Sequence, residues 1–445
     1  MIDEQAMKQI APLTQMPAPP RPPLRFLAPG ATPQQLVRAV AANHRDWFLA
    51  GARVMGAEVF RERGVIWMAG AGEVIIAFPR LDSASASATL DRIVQACRER
   101  RPRAVSCWAR TPTQPRDLGA RLVARGFEWG WQPHWMALDL NRINADIPVP
   151  DGLSIEVDDR SEWDMDDLPY YKREAATAFQ AHARALPRRT WHFAARLDGR
   201  VVGHSLLHVS TGAYGLAGLY SIGVVPSARR LGIGRAVTLA ACQFARALGC
   251  HYAGLNAATH IYDRIGFVSL GHGQTWWMHA HMFDALPPTA EQVAFAEAVG
   301  RGDVKTLDRF DRAALPPDLD APLPSGLTPL TLAVRTKQPA SARWLIAHGA
   351  TPEIVSLWDL GWKAEAARLL SATPALADRR FGAWQITPLH EAVSRGDAEL
   401  ARLLLGAGPD LTIRDTQFNN TAPGWARHFA NAEIIALIEA AEGEG

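Results

Sequence analysis

Three arginines and two glycines crowd the stretch VVPSARRLGIGRAV, Val224–Val237, with Arg229 and Arg230 ahead of Gly232-x-Gly234 and Arg235 behind it. An apolar run precedes Pro226 and a helical apolar pattern follows Gly234, so this loop delivers the chain into the first turn of a helix. The first N–H groups of a helix lack partners within it, and together with the helix dipole they form a site for an anion. Glycine at 232 and 234 removes the Cβ atoms that would hold a phosphate away from those amides, and the three guanidinium groups neutralise further phosphate charge. The chemistry implied is capture of a phosphate. The same residues also make an ordinary glycine-stabilised turn, so the elements around them must decide.

Those elements alternate. LSIEVD reads as a strand and EWDMDDLPYYKREAATAFQAHARAL as a helix; TWHFAARL and RVVGHSLLHVS form a hairpin turning at Asp198-Gly199. A strand in GLAGLYSIGVV then leads to the loop, a helix ending at Gly249, a strand in YAGLNA, a short helix in THIYDRIGF and a final strand in TWWMHAHM. The order of elements, with Arg229-x-x-Gly232-x-Gly234 after a strand and Pro226, resembles the GNAT acetyltransferase superfamily over residues 147–283.

That resemblance implies a mixed α/β fold and acetyl-CoA as co-substrate, without a metal. It implies cofactor contacts from Ile222, Val224, Arg229, Arg230, Leu231, Gly232, Ile233, Gly234, Arg235 and Tyr262. The backbone N–H near Val224 would polarise the thioester carbonyl, and Tyr262, five residues before Phe267, would protonate the departing thiolate. Many relatives place a glutamate on the strand before the loop, but GLYSIGVV has no carboxylate. His204 and His208, four residues apart on the neighbouring strand and so on one face, are candidates for the base, or else histidines satisfied within the sheet. The acidic run Glu156, Asp158, Asp159, Glu162, Asp164, Asp166 and Asp167 either draws a cationic amine to the cleft or serves a helix start. Trp276 and Trp277 are candidates for the border of the acceptor pocket. His279 and His281 share a strand face, but spacing fixes no third ligand, and a metal site is not expected.

Residues 33–146 end in DLGARLVARGFEWGWQPHWMALDL, similar to a second GNAT ending. Where a cofactor loop belongs, this part offers only RLDSASASA, so it reads as a degenerate copy that shapes the acceptor pocket or buttresses the active one. Residues 1–32, with PAPPRPPL, read as a disordered proline-rich leader without a signal peptide.

The third part repeats. AVSRGDAE at Ala392 and ARHFANAE at Ala426 lie 34 residues apart, and WDLGWKAE at Trp358 lies 34 earlier. AVGRGDVK at Ala298 and AVRTKQPA at Ala333 extend the series, with a short step of 25 from Ala333 to Trp358. Thr-Pro-Leu opens a helical pattern at Thr328 and again at Thr387, where His390 follows. This resembles the ankyrin repeat, implying an all-α solenoid of about five helix pairs over 288–445, one shortened, with a protein-binding surface. The fold class expected is thus two GNAT-like mixed α/β domains followed by an all-α ankyrin-repeat solenoid.

Composition agrees with a globular chain: 48% hydrophobic and 21% charged residues over 445, with no apolar run long enough to span a membrane. Four cysteines show no paired or metal-site spacing, which reads as reduced buried thiols in a cytoplasmic protein. Residues 1–284 hold 32 basic against 25 acidic side chains, and residues 285–445 hold 15 against 20. The change of sign suggests different partners for the two regions, and the lack of a basic stripe argues against nucleic acid. The function expected is acetyl-CoA-dependent N-acylation of a primary amine, a small cationic or antibiotic-like amine ahead of a protein. The alternatives are a protein lysine or N-terminal acetyltransferase recruited by the repeats, and a non-catalytic ankyrin scaffold that binds acyl-CoA.

Overall fold

The computed structural model describes residues 25–70, 72–143, 148–257, 262–310, 318–382 and 384–443. It divides into two units, one of residues up to Leu122 together with Phe127–Pro287, the other of Val123–Gly126 together with Pro288 onward. Of the expected leader, residues 1–24 lie outside those described. Residues 25–32 are held in place: Leu27 is buried and its N–H donates to Gly215 O at 2.9 Å.

The first unit begins with α1 (Pro33–Val54), fixed by a capping box in which Thr32 and Gln35 exchange side-chain and backbone bonds. Next come β1 (Glu58–Glu62), β2 (Val65–Gly70), β3 (Glu73–Ala77), α2 (Ala86–Arg100), β4 (Ala104–Ala109), α3 (Leu118–Ala124), β5 (Glu128–Trp129) and β6 (His134–Asp139). The second half runs β7 (Leu153–Val157), α4 (Ala176–Arg184), β8 (Thr190–Leu197), β9 (Arg200–Val209), β10 (Ala217–Val224), α5 (Ile233–Ala247), β11 (Tyr252–Ala257), β12 (Val268–His272) and β13 (Gln274–His279). Asp198 and Gly199 turn the β8–β9 hairpin with φ of 50° and 79°, the pairing a tight two-residue turn requires.

Two sheets result, ordered β1-β2-β3-β4-β13-β5 and β12-β6-β11-β10-β9-β8-β7. The last strand of each half is therefore exchanged: β6 inserts between β11 and β12, and β13 between β4 and β5. The boundary expected at residues 146/147 does not separate two self-contained sheets. β6 is apolar on both faces, as a central strand must be, with Trp135, Met136, Ala137 and Leu138 each about 1% exposed, whereas β13 buries Thr275, Trp276 and Met278 and leaves Trp277 and His279 partly exposed. The composition of β6 demands a central position without saying in which sheet. Trp276 lies in the first sheet, away from any acceptor pocket of the second half, and packs on Gly119 of α3, where a Cβ would stand 2.9 Å from its Cζ2. Gly119→Val is expected to cost about 1–3 kcal/mol through this overpacking, read as a lowered urea midpoint.

The expected helix over residues 162–186 shrinks to α4 preceded by a short turn at Arg173–Ala175. Asp158 holds the preceding segment in a loop, its Oδ1 accepting from the N–H groups of Arg160 and Ser161 at 3.0 and 2.9 Å. Local side-chain bonds of this kind compete directly with helix formation.

The second unit stacks helix pairs: α6 (Ala290–Arg301) with α7 (Val304–Leu307), α8 (Pro329–Arg335) with α9 (Pro339–Ala347), and α10 (Ile354–Asp359) with α11 (Lys363–Ala372). Two more follow, α12 (Pro388–Arg395) with α13 (Ala398–Leu405), and α14 (Ala422–Phe429) with α15 (Ala432–Gly443). Thr328 and Thr387 cap α8 and α12 with proline in the first turn, so Thr-Pro-Leu acts as a helix start. Leu389, Ala392, Leu400, Ala401, Trp425 and Ile434 are among the buried residues that join consecutive pairs.

Candidate active site

Strands β10 and β11 are parallel neighbours only at Ala217–Leu219 opposite Ala253–Leu255. β10 continues to Val224 along β9, with a bulge between Tyr220 and Gly223 where Ser221 takes φ of 49°. The bulge bends β10 and ends its pairing with β11. Val225 donates its N–H to Val202 O of β9 at 3.0 Å, so by alternation the N–H and C=O of Val224 point the other way, to the side where β11 has departed. Arg229 Nε reaches Val224 O at 3.5 Å. Ile222 sits within the bulge with its side chain against the core. At Gly223 a Cβ would stand 2.3 Å from Pro169 O, so only glycine lets that loop close on the strand.

Beyond Val225 a short turn at Pro226–Ala228 leads to exposed Arg229, Arg230 and Leu231 and then to Gly232, whose φ is 83°. Gly232 is the N-cap of α5 and no side chain caps the helix. The first amides of α5, at Ile233, Gly234 and Arg235, thus meet the conditions for holding an anion, with Arg229, Arg230 and Arg235 close in sequence to supply positive charge. Gly232 is required by its backbone and by Pro148 O, which would lie 2.7 Å from a Cβ. Gly234 is different: a Cβ there meets only Val224 Cγ2, at 3.5 Å, so protein packing does not account for this glycine.

Tyr262 follows β11 at the start of a short 3-10 turn; the first residues of the expected short helix, 259–261, lie outside the described residues. Its ring meets Phe267 edge to face at 6.0 Å. Burial, with a smaller effect from the Tyr170 phenol, pushes its pKa up to about 12, so at neutral pH it carries its proton.

Both candidate histidines of β9 are fully buried with both ring nitrogens engaged. His204 Nε2–H donates to Pro169 O at 2.7 Å, and its Nδ1 lies 2.9 Å from His192 Nε2. His208 Nε2–H donates to Asp46 Oδ2 at 3.1 Å, leaving Nδ1 to accept from the Thr190 hydroxyl at 2.9 Å. Neither presents a free nitrogen to a substrate, and either would have to give up one of these bonds to take a proton. Burial lowers the His204 pKa to about 4. It depresses that of His208 as well, although Asp46 pulls the other way.

The sequence offered no signal for the residues that α1 brings to this face of the sheet. Asp46 also accepts from Arg189 Nη1 at 2.8 Å, and Trp47 stacks on Tyr220 at 5.4 Å. The Tyr220 hydroxyl donates to Asn43 Oδ1 at 2.6 Å, and Asn43 Nδ2 donates to the carbonyls of His208 and Leu216. Residues 33–54 thus wall the second sheet beside the β10 bulge, a juxtaposition of positions more than 160 residues apart. Most of the acidic run is engaged locally. Glu156 and Asp158 pair with Arg196, Asp159 with Arg188, Asp164 with Arg173, and Glu162 accepts from Gln180. Among the described residues no group of three His, Cys, Asp or Glu is placed to hold a metal, and no helix is long and apolar enough to cross a membrane. All four cysteines are buried and unpaired.

The corresponding loop of the first half is closed. Arg80 N–H donates to Gly64 O at 2.6 Å, which lays the β1–β2 turn on the loop, and Asp82 Oδ1 accepts from Ala84 N at 3.1 Å just ahead of α2. A cavity of about 430 Å³ remains, lined by Arg63, Arg80, Asp82, Ser83, Ser85 and Gln114.

Residues 156–267 match the acetyltransferase (GNAT) family, and residues 325–357 and 384–416 match the ankyrin repeat. No protein of curated function matches the chain. Similar solved structures include a GCN5-related N-acetyltransferase from Kribbella flavida, 19% identical with a TM-score of 0.43 over 54% of this chain and 95% of that one. Another is a tandem GNAT protein from the clavulanic acid biosynthesis pathway, 17% identical with a TM-score of 0.40 over 58% and 98%. A GCN5-related N-acetyltransferase from Sphaerobacter thermophilus is 14% identical, with a TM-score of 0.38 over 59% and 97%. The chain carries a GNAT-family acetyltransferase domain. Ankyrin repeats follow it in the same polypeptide.

Proposed function

We propose that this protein transfers the acetyl group of acetyl-CoA to a primary amine in the wedge between β10 and β11. The observation that carries the reading is the parting of these strands after Leu219 and Leu255, with β10 running on to the uncapped, glycine-started helix α5. The diphosphate would rest on the amides of Ile233, Gly234 and Arg235, with Arg229, Arg230 and Arg235 offsetting its charge and Leu231 and Gly232 shaping the approach. The pantetheine arm would run along Ile222–Val224, where the Val224 N–H faces the wedge and can stabilise the oxyanion as it develops. The amine nitrogen, as its free base, bonds to the acetyl carbon, the C–S bond breaks, Tyr262 hands its proton to the sulfur, and the proton shed by the nitrogen passes through solvent water to restore the phenol. Holding both reactants together removes much of the entropic barrier.

For the acceptor, the Trp47 ring stacked on Tyr220 beside the bulge favours a compact cationic amine. The ankyrin repeats favour a lysine or N-terminus on a protein as the second reading. Incubating acetyl-CoA with a panel of amines and peptides, with thiol release as readout, separates the two. Tyr262→Phe is expected to lower kcat by about 10²- to 10⁴-fold while leaving acetyl-CoA affinity unchanged. Unchanged turnover removes the tyrosine from the mechanism. Binding without turnover in the unaltered protein, for every acceptor, leaves a scaffold that only holds acyl-CoA.

A further inference from the structure

The loops that close the first half gather arginines at one end of its sheet. β3 and β4 run in parallel register up to Ala77 opposite Trp108, and the Phe78 N–H donates to Trp108 O at 2.8 Å just beyond. Arg80 then bridges to Gln114, its Nε donating to Gln114 Oε1 at 3.3 Å. Arg80 and Arg110, three and two positions past the last register pair, therefore leave the sheet side by side. α1 brings Arg38 to the same end, where its Nη1 donates to the Tyr214 hydroxyl oxygen at 3.4 Å in the β9–β10 turn. The β1–β2 turn brings Arg63, because Gly64 O accepts from the Arg80 N–H at 2.6 Å.

These charges have no counterpart within the fold. Among the described residues no carboxylate pairs with Arg38, Arg63, Arg80 or Arg110, and the Arg110 guanidinium, only partly exposed, has no hydrogen bond. Burial first, then the like charges of Arg80 and Arg38, hold the Arg110 pKa below the usual arginine value, with Tyr214 acting the other way. Mutual repulsion of this kind destabilises the folded chain. An anion arriving from outside relieves it and takes charge-assisted, forked hydrogen bonds from the guanidinium groups.

The space for a ligand lies against the same residues. The cavity of about 430 Å³ has Arg63 and Arg80 on its wall, within the roughly 300–1,000 Å³ of pockets that hold a small molecule. Ser83, Ser85 and Gln114 add hydroxyl and amide groups, and Ser85 is the N-cap of α2 with no side-chain bond to its first turn. Among the described residues Asp82 is the one carboxylate on that wall, and its Oδ1 already accepts from the Ala84 N–H at 3.1 Å. Four guanidinium groups against a single carboxylate suit an anion of two charges better than an anion of one.

We infer that this end of the first half binds the phosphate group of a small phosphomonoester, held between Arg80 and Arg110 with Arg38 and Arg63 adding charge, the rest of the molecule lying in the cavity. A phosphomonoester carries close to two negative charges at neutral pH, where a sulfate ester or a carboxylate carries one. The residues are distinct from the amides of α5, and the inference does not depend on acetyl transfer.

The test titrates the full chain calorimetrically with phenyl phosphate, phenyl sulfate and benzoate at constant ionic strength. Phenyl phosphate is expected to bind at least about tenfold tighter than either monoanion. Arg110→Gln should weaken phenyl phosphate at least about tenfold, while the melting temperature of the ligand-free protein holds or rises because a repulsion is removed with the charge. Gly234→Glu, on α5, should leave phenyl phosphate affinity unchanged. Equal affinity for the three anions, no binding at millimolar ligand, or affinity unaffected by Arg110→Gln overturns the proposal. So does a lowered melting temperature in Arg110→Gln, which makes that arginine structural, or loss of binding in Gly234→Glu, which moves the phosphate to α5.

Discussion

Gly234→Glu is expected to raise the dissociation constant for acetyl-CoA at least about 100-fold while leaving the melting temperature within a few degrees of the parent. The physical grounds are separable. A Cβ at 234 meets only Val224 Cγ2 at 3.5 Å, an ordinary contact, so the helix start can accept a side chain without rearrangement. The glutamate carboxylate then competes for the same unpaired amides and adds negative charge where the diphosphate must come. Gly232→Ala provides the contrast. With φ of 83° and Pro148 O 2.7 Å from the new Cβ, it should lose stability as well as binding. Calorimetric titration with acetyl-CoA beside a thermal melt distinguishes the two. If Gly234→Glu binds acetyl-CoA as tightly as the parent, the donor does not lie on α5.

Acid should unfold the first unit well above the carboxylate range. Burial lowers the pKa of His44 and His192 to about 3 and of His182 and His204 to about 4, whereas the same rings titrate near 6.5 when the chain is unfolded. The folded form therefore excludes protons that the unfolded form binds. The stability associated with these neutral rings is fully present above pH 6.5 and is lost as pH falls from there toward 4. Each ring contributes a slope of up to ~1.4 kcal/mol per pH unit, and four acting together rival a total stability of roughly 5–15 kcal/mol. Asp46, held below its usual range by His208 and Arg189 despite its own burial, adds a loss only at lower pH, as it takes up a proton. Urea midpoints should fall steeply between pH 7 and 5, and His192→Asn should flatten the dependence by about one proton. A midpoint constant over that range means that the rings are accessible in the folded state.

The chemistry of the proposed donor site is written locally. An apolar strand, a proline, two glycines, arginines and a helix occupy consecutive positions, and the first amides of that helix are unpaired whatever packs around them. The helix starts of the repeats were equally legible, because Thr328 and Thr387 cap their own first turns. What tertiary structure decided were matters of partner choice. β6 is apolar on both faces and so needs a central position, yet either sheet satisfies that demand, and only the assembled unit exchanges it with β13. The histidines of β9 offered a base by residue type, but Pro169, His192, Thr190 and Asp46, from 12 to 162 positions away, engage both nitrogens of each ring. The acidic run was visible as charge, whereas its arginine partners lie on other elements and turn most of it to local structure. A sequence specifies which groups the chain owns and how near neighbours fold; hydrogen-bond and packing partners come from long-range closure, which one-dimensional spacing does not encode.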